Sequence, residues 1–214
     1  MIPSGRCYSF DYPEEGFERA DPINPQLFTP CLRPIFDPEY GIFDPVIFSH
    51  YLVTLPPIAA CPEVINKYTV RFFAISKKDP TRITSVKEIE KGSKISIFFH
   101  PYMTEYDEKM VLGPPFATLT TNDWAIVADY SRLEFSRVFG RIRIPIINAF
   151  LSLSNTILMG RISCKFIKFM IEKHGIQSED ILLAGFSAGA QTIGFLADYC
   201  RGRYGIRFNH IVGK

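Results

Sequence analysis

Between Trp124 and Ala197 the sequence sets out a buried strand, a long helix, a second buried strand and a second helix in immediate succession, and that order leaves few folds open. Trp124–Ala128 (WAIVA) and Ile181–Ala184 (ILLA) are short apolar runs of the kind that fill a sheet covered on both faces. Between them, from about Pro145 to Lys173, apolar residues such as Ile157, Ile162, Phe166, Phe169 and Met170 recur at three- and four-residue spacing, the period of a helix. A strand, a helical crossover and another strand place the two strands parallel in one sheet. Thr69–Ala74 (TVRFFA) and Lys94–Phe99 (KISIFF) read as two further buried strands, and Phe208–Val212 as the next one. The predicted fold class is α/β, a mostly parallel central sheet flanked by helices.

The long helix is expected to stop at His174-Gly175, where glycine accepts the left-handed cap and Lys173 and His174 complement the helix dipole. His174 is thus read as a terminal residue of that helix, and Gln177–Asp180 as a polar turn before the strand.

The rest of the chain reads differently. Eleven of the 16 prolines lie in residues 1–62, and proline lacks the amide that a central strand or a helix interior requires. Residues 1–62 are expected to form loops and short edge pieces, and residues 63–214 the sheet-helix core of one domain. The Asp-Pro pairs beginning at Asp21, Asp37, Asp44 and Asp79 fit no repeat and read as turns. The charged run Lys77–Arg82 reads as a solvated loop.

Composition excludes several classes of function. Lys and Arg number 24 against 22 Asp and Glu, so no net field gathers nucleic acid or an anionic membrane. Residues Ile144–Met159 are the most apolar stretch, but Asn148, Ser152, Ser154 and Asn155 interrupt it and it is too short to span a bilayer; no transmembrane segment is expected. Met1–Asp11 has neither a basic nor an apolar region, so no signal peptide is expected in this stretch, and either the protein is cytosolic or its start is missing. The five cysteines include no C-x-x-C pair, and neither a metal nor a cofactor is expected. In an oxidising compartment their odd number calls for a free thiol or for a partner outside this chain.

The chemistry lies at Gly185-Phe186-Ser187-Ala188-Gly189, a G-x-S-x-G sequence placed directly after ILLA and directly before a helix-forming run. A sharp strand-to-helix turn needs small flanking residues, because a Cβ at either glycine position would collide with the turn. Ser187 is the candidate nucleophile, and Gly185 and Gly189 form its elbow. The Ala188 backbone N–H and the N-terminal end of the following helix could support a developing oxyanion. A second donor is expected from the loop after an earlier strand, for which KISIFF running into His100-Pro101-Tyr102 is the candidate. Serine remains a poor nucleophile until a histidine takes its proton and a carboxylate orients that histidine. Downstream, Asp198 lies eleven helical residues from Ser187, roughly 16 Å at 1.5 Å per residue, and reads as a solvent-facing helix residue. His210 stands at the start of the last strand with no acid before it, and Asp129 reads as structural.

With these pieces in order, the chain resembles the pancreatic lipase family, which includes vertebrate lipases, phospholipases A1 and many arthropod relatives. The resemblance runs from about Leu55 to the end, through LPPIAACPEVINKYTVRFFAISKKDP, KISIFFHPY, DWAIVADYSRL and ILLAGFSAGAQTIGFLADYCRGRYGIRFNHIVGK, and Arg6-Cys7-Tyr8 looks like the start of a mature family chain. It implies an α/β-hydrolase fold, incomplete at the C-terminus, and an extracellular, secreted protein. It implies a carboxylic ester hydrolase acting on lipid esters, triacylglycerol or phospholipid, at a lipid–water interface. It assigns the second oxyanion donor to the backbone N–H of Tyr102. Two departures stand out: Pro101 replaces the glycine of the family's His-Gly-aromatic, and Phe186-Ser187-Ala188-Gly189 replaces His-Ser-Leu-Gly. The resemblance also implies a Gly-Leu-Asp where this chain reads Val212-Gly213-Lys214, and a histidine further on, so both triad partners, the lid and the fifth cysteine's partner would lie past Lys214. Two alternatives stay open: a non-catalytic, yolk-type binding or storage relative, and an unrelated α/β-hydrolase such as a thioesterase or peptidase.

Overall fold

A computed structural model of the chain describes residues 35–37, 39–43, 46–48, 58–60, 70–101, 113, 115–130 and 145–214. Four short strands come first: β1 (Ile35–Asp37) pairs with β2 (Gly41–Phe43), and β3 (Val46–Phe48) with β4 (Ile58–Ala60), both antiparallel. Among the described residues the principal sheet has six strands: β5 (Arg71–Ser76), β6 (Asp79–Thr84), β7 (Ile95–Phe99), β8 (Trp124–Asp129), β9 (Ile181–Gly185) and β10 (His210–Gly213). Their spatial order is β10-β9-β7-β8-β5-β6. The four strands from β10 to β8 are parallel, β5 runs antiparallel to β8, and β6 runs antiparallel to β5.

Two long helices pack on this sheet, α1 (Pro145–His174) and α2 (Ala188–Tyr204). The crossover expected from the apolar pattern is present: α1 leaves the β8 side and returns to β9, which lies on the far side of β7. Gly175, at φ 62°, accepts the left-handed position after α1, as Gly205, at φ 71°, does after α2.

Strand side chains alternate between two buried layers, as a period of two requires. On one face Phe72, Ala74, Ile95, Ile97, Phe99, Trp124, Ile126, Ala128, Ile181 and Leu183 meet Leu158, Ile162, Phe166, Met170, Ile193 and Leu196 of the two helices. Phe72 and Phe166 stack there with ring centroids 3.8 Å apart. On the other face Ile75, Ala125 and Val127 form a smaller cluster with Ala117. Every residue of β8 is buried, which explains why WAIVA carries no polar alternation.

The two helices approach closely at Gly160 of α1. A Cβ there would stand 2.8 Å from the backbone nitrogen of Leu196, so no larger residue permits the crossing. One turn further along both helices, Cys164 and Cys200 form a disulfide with Cα atoms 5.6 Å apart, and both residues are fully buried. Two of the five cysteines are therefore partners of each other; Cys7, Cys31 and Cys61 lie outside the described residues. The β1–β2 hairpin is tied to α1 by Arg161, whose Nη1 donates to the Tyr40 and Ile42 carbonyls at 2.8 and 2.7 Å while its guanidinium lies over the Phe43 ring. Glu39 pairs with Lys165 on the next turn of the same helix.

One expectation fails and two shift. Lys77–Arg82 is not a loop: Lys77 and Lys78 make a two-residue turn, and Asp79–Thr84 returns as β6 on the sheet edge. An exposed edge strand needs no apolar alternation and tolerates Pro80, so the usual strand signals are missing from it. β5 starts two residues later than TVRFFA suggests, and β10 occupies His210–Gly213 rather than Phe208–Val212. Among the described residues, no helix is long and apolar enough to cross a membrane.

Candidate active site at the strand β9 to helix α2 turn

β9 ends at Gly185 and α2 begins at Ala188, so the chain reverses into the helix across Phe186 and Ser187. Ser187 adopts φ 53°, ψ −117°, and is the one non-glycine residue with positive φ among those described. Such a backbone costs roughly 1–3 kcal/mol and persists only where its surroundings enforce it. The surroundings are two glycines: a Cβ on Gly185 would lie 2.5 Å from the backbone of Gly189, and one on Gly189 would lie 2.1 Å from the Phe99 carbonyl oxygen. The small residues expected on steric grounds are thus required on both sides of the turn.

Hydrogen bonds hold the turn on three sides. The Phe186 N–H donates to the Phe99 carbonyl at 3.3 Å, fastening the elbow to β7. The Ser187 N–H donates to the Lys214 carbonyl at 2.7 Å, and the Lys214 N–H donates to the Gly185 carbonyl at 3.1 Å, fastening it to the end of β10. On the helix side, the Gly189 N–H donates to the Phe186 carbonyl at 2.9 Å and the Ala190 N–H to the Ser187 carbonyl at 2.9 Å.

Ser187 occupies the N-cap position of α2 but its hydroxyl makes no capping bond. Serine at an N-cap ordinarily accepts from an amide of the first turn; here the positive φ turns the side chain away, and Ser187 is exposed. Ala188, buried at the first helical position, has an amide with no intrahelical acceptor. An exposed hydroxyl therefore adjoins a helix N-terminus whose free amides and dipole favour negative charge.

The wall opposite is the end of β7. Phe99 is its last residue, in register with Gly185 of β9 and Ala128 of β8. His100 follows, fully buried, its ring stacked on Tyr130 with centroids 3.8 Å apart. The Tyr130 hydroxyl donates to the His100 carbonyl oxygen, and His100 Nδ1 lies 2.8 Å from the Pro101 carbonyl oxygen. Tyr102, the donor implied by the resemblance, lies outside the described residues.

The other titratable residues singled out from the sequence stand away from Ser187. Asp198 is exposed on α2 and pairs with Arg201 at 2.9 Å. His210 is in register with Leu182, three residues and roughly 10 Å below Gly185 at about 3.3 Å per strand residue, at the opposite end of the strands from the elbow. His174 ends α1, its Nδ1 3.0 Å from the Ile89 carbonyl oxygen. Asp129 is buried and paired with Arg71 across β5 and β8. No described residue hydrogen-bonds the Ser187 hydroxyl, and no group of three or more metal-binding side chains occurs among the described residues. Tyr130 was not singled out from the sequence; an aromatic residue directly after a fully buried strand was its only signal.

No family model and no curated protein matches the sequence. Among solved structures the chain is similar to a "putative carboxylesterase" from Lactobacillus plantarum WCFS1, at 14% identity and TM-score 0.32, over 79% of this chain and 58% of that one. It is also similar to a lipase/esterase from Lactobacillus plantarum, at 12% identity and TM-score 0.33, over 79% of this chain and 60% of that one. The chain thus spans less than two thirds of either protein's length.

Proposed function

We propose that the chain carries the nucleophile of a serine carboxylic-ester hydrolase of the lipase type, with an α/β-hydrolase fold, and that Ser187 is that nucleophile. The observation that carries this reading is the backbone of Ser187: a serine held at φ 53° between two indispensable glycines, with its hydroxyl withheld from capping. A structural glycine turn has no use for a strained serine, whereas a nucleophile must project from the end of the sheet towards solvent.

In the proposed reaction Ser187 Oγ attacks the ester carbonyl carbon and loses its proton to a base. The resulting oxyanion accepts hydrogen bonds from the Ala188 N–H and from the Tyr102 N–H, the alcohol departs with a proton, and water releases the acyl group as a carboxylic acid. No described residue hydrogen-bonds the Ser187 hydroxyl, so the proposed reaction takes its base, and an acid to orient it, from elsewhere in the protein. The substrate class is lipid ester, triacylglycerol or phospholipid, and the setting extracellular. A buried disulfide between α1 and α2 is in keeping with an oxidising compartment.

Hydrolysis of 4-nitrophenyl esters from acetyl to palmitoyl by the full-length protein tests the reading, with Ser187→Ala as control. Removal of a triad serine lowers kcat by about six orders of magnitude in a well-studied protease, so the variant should fall to background. Hydrolysis unchanged by Ser187→Ala would end the proposal. One observation favours a second reading: Pro101 stands where the resembling family has a glycine at the oxyanion loop, as a protein that binds lipid without cutting it would tolerate. Binding of long-chain esters with no turnover would select that reading.

A further inference from the structure

We propose that Gly213 is a positioning residue for Ser187: lacking a side chain, it lets the end of β10 close against α2, where the main chain of Lys214 holds the Ser187 amide. The proposal rests on the reading of Ser187 as nucleophile.

Two peptides meet at Ser187, and its backbone angles follow from how each is held. The Phe186–Ser187 peptide is fixed at both ends: its carbonyl accepts from the Gly189 N–H at 2.9 Å, and its N–H donates to the Lys214 carbonyl at 2.7 Å. In the Ser187–Ala188 peptide the carbonyl accepts from the Ala190 N–H at 2.9 Å. A trans peptide is a rigid plane, and none of those described is cis, so each bond orients a whole unit. The Gly189 and Ala190 donors belong to the first turn of α2 and move with it. The Lys214 carbonyl comes from another element, and it ties the strained serine to the sheet rather than to its own helix.

β10 reaches this position by continuing its ladder past its last strand residue. Its register with β9 runs from His210 opposite Leu182 to Gly213 opposite Gly185. Lys214 then gives its N–H to the Gly185 carbonyl at 3.1 Å and takes the N–H of Ser187, the alternation of a parallel pair. The pairing persists although Ser187 has already left strand geometry, at φ 53°.

The approach is possible because Gly213 has no Cβ. One built there would stand 3.2 Å from the Ala190 Cβ and 3.6 Å from Ile193 Cδ1, where carbons in contact ordinarily sit about 3.5–4.0 Å apart. Gly213 is not among the glycines with positive φ, so its own backbone does not demand glycine; the neighbouring helix does. Ala190 lies in the first turn of α2, and its N–H holds the Ser187 carbonyl. A methyl at position 213 must therefore lift Lys214 from the Ser187 amide or push that turn outward, and either movement releases the serine. Val212 is the contrast within the same strand. Its side chain alternates to the other face, in register with Ala184, and is exposed.

The test measures the rate of fluorophosphonate labelling in the full-length wild type, Gly213→Ala, Ala190→Gly, the double variant and Val212→Ala, with kcat and KM on a 4-nitrophenyl ester alongside. A misplacement of about 1 Å can cost about 100-fold, so a few tenths of an ångström should lower labelling and kcat by roughly fourfold. The expected result is that loss in Gly213→Ala, with KM within about twofold of wild type and native circular dichroism at the assay temperature. Val212→Ala should label at the wild-type rate. Ala190→Gly removes the atom that the new methyl meets, so the double variant should label within about twofold of Ala190→Gly alone. That recovery accompanies a weaker helix, glycine having replaced alanine in α2, so a role in stability alone would not produce it. Wild-type labelling of Gly213→Ala overturns the proposal while leaving Ser187 as nucleophile. So does a loss that the double variant repeats relative to Ala190→Gly, or one matched by lost circular dichroism. An unlabelled wild type removes the nucleophile reading and the proposal with it.

Discussion

Gly189 and Phe99 are in direct backbone apposition: a Cβ built on Gly189 would stand 2.1 Å from the Phe99 carbonyl oxygen and 2.7 Å from its carbonyl carbon. Backbone cannot move aside as a side chain can, so Gly189→Ala forces the first turn of α2 away from β7. Overpacking of this kind costs about 1–3 kcal/mol or more. The melting temperature should fall by roughly 2–12 °C, at about 2–4 °C per kcal/mol for a chain of this size. Gly194 is the internal control. It lies on the same helix with nothing within 4 Å of its Cβ position, and Gly194→Ala should raise the melting temperature by roughly 2–4 °C through helix propensity. Equal effects of the two substitutions on thermal melting would contradict the apposition.

The disulfide between Cys164 and Cys200 closes 36 residues of sequence that include the whole of β9 and the elbow. Constraining a loop of that length in the unfolded chain contributes about 3–4 kcal/mol on the chain-entropy estimate. The double variant Cys164→Ala with Cys200→Ala should shift the urea midpoint downward by that amount divided by the slope of the transition. A midpoint unchanged from wild type would mean that the two cysteines are not bonded in solution.

Glu90 accepts a hydrogen bond from the Trp124 indole at 2.6 Å, and its carboxyl is held below the ordinary glutamate value, chiefly by a backbone hydrogen bond and then by the indole. A carboxyl lowered on folding stabilises the fold at pH above its ordinary value. That contribution is lost as pH falls through the lowered folded value. Trp124 is the only tryptophan, so its fluorescence should change with a midpoint below that of a free glutamate, and Glu90→Gln should abolish the change. A midpoint at or above the free value would contradict the contact.

Much of this architecture could be read from residue pattern, and the failures have identifiable causes. WAIVA is buried on both faces of the sheet, and ILLA and the ISIFF part of KISIFF are buried or half-buried throughout, so their largely apolar runs gave β8, β9 and β7 within one or two residues. α1 was legible because one long apolar stripe meets the sheet, and its end because Gly175 takes a positive φ. β6 was not legible, because an exposed edge strand starting Asp79-Pro80 carries no apolar alternation. At the site, the elbow glycines were predictable from local sterics. The Tyr130 hydrogen bond to His100 joins residues 30 apart in sequence, and the Ser187 amide bond to Lys214 joins residues 27 apart, so both depended on how the strands stack side by side. The pairing of Cys164 with Cys200 required the crossing of α1 and α2 at Gly160, which no spacing rule encodes.

The central claim is that Ser187 is an activated nucleophile, and covalent labelling of the full-length protein with a serine-directed fluorophosphonate, mapped by peptide mass spectrometry, tests it most directly. The account predicts one adduct, on Ser187, absent from Ser187→Ala and from heat-unfolded protein. A folded full-length sample that takes up no label, or takes it up equally after Ser187→Ala, would contradict it.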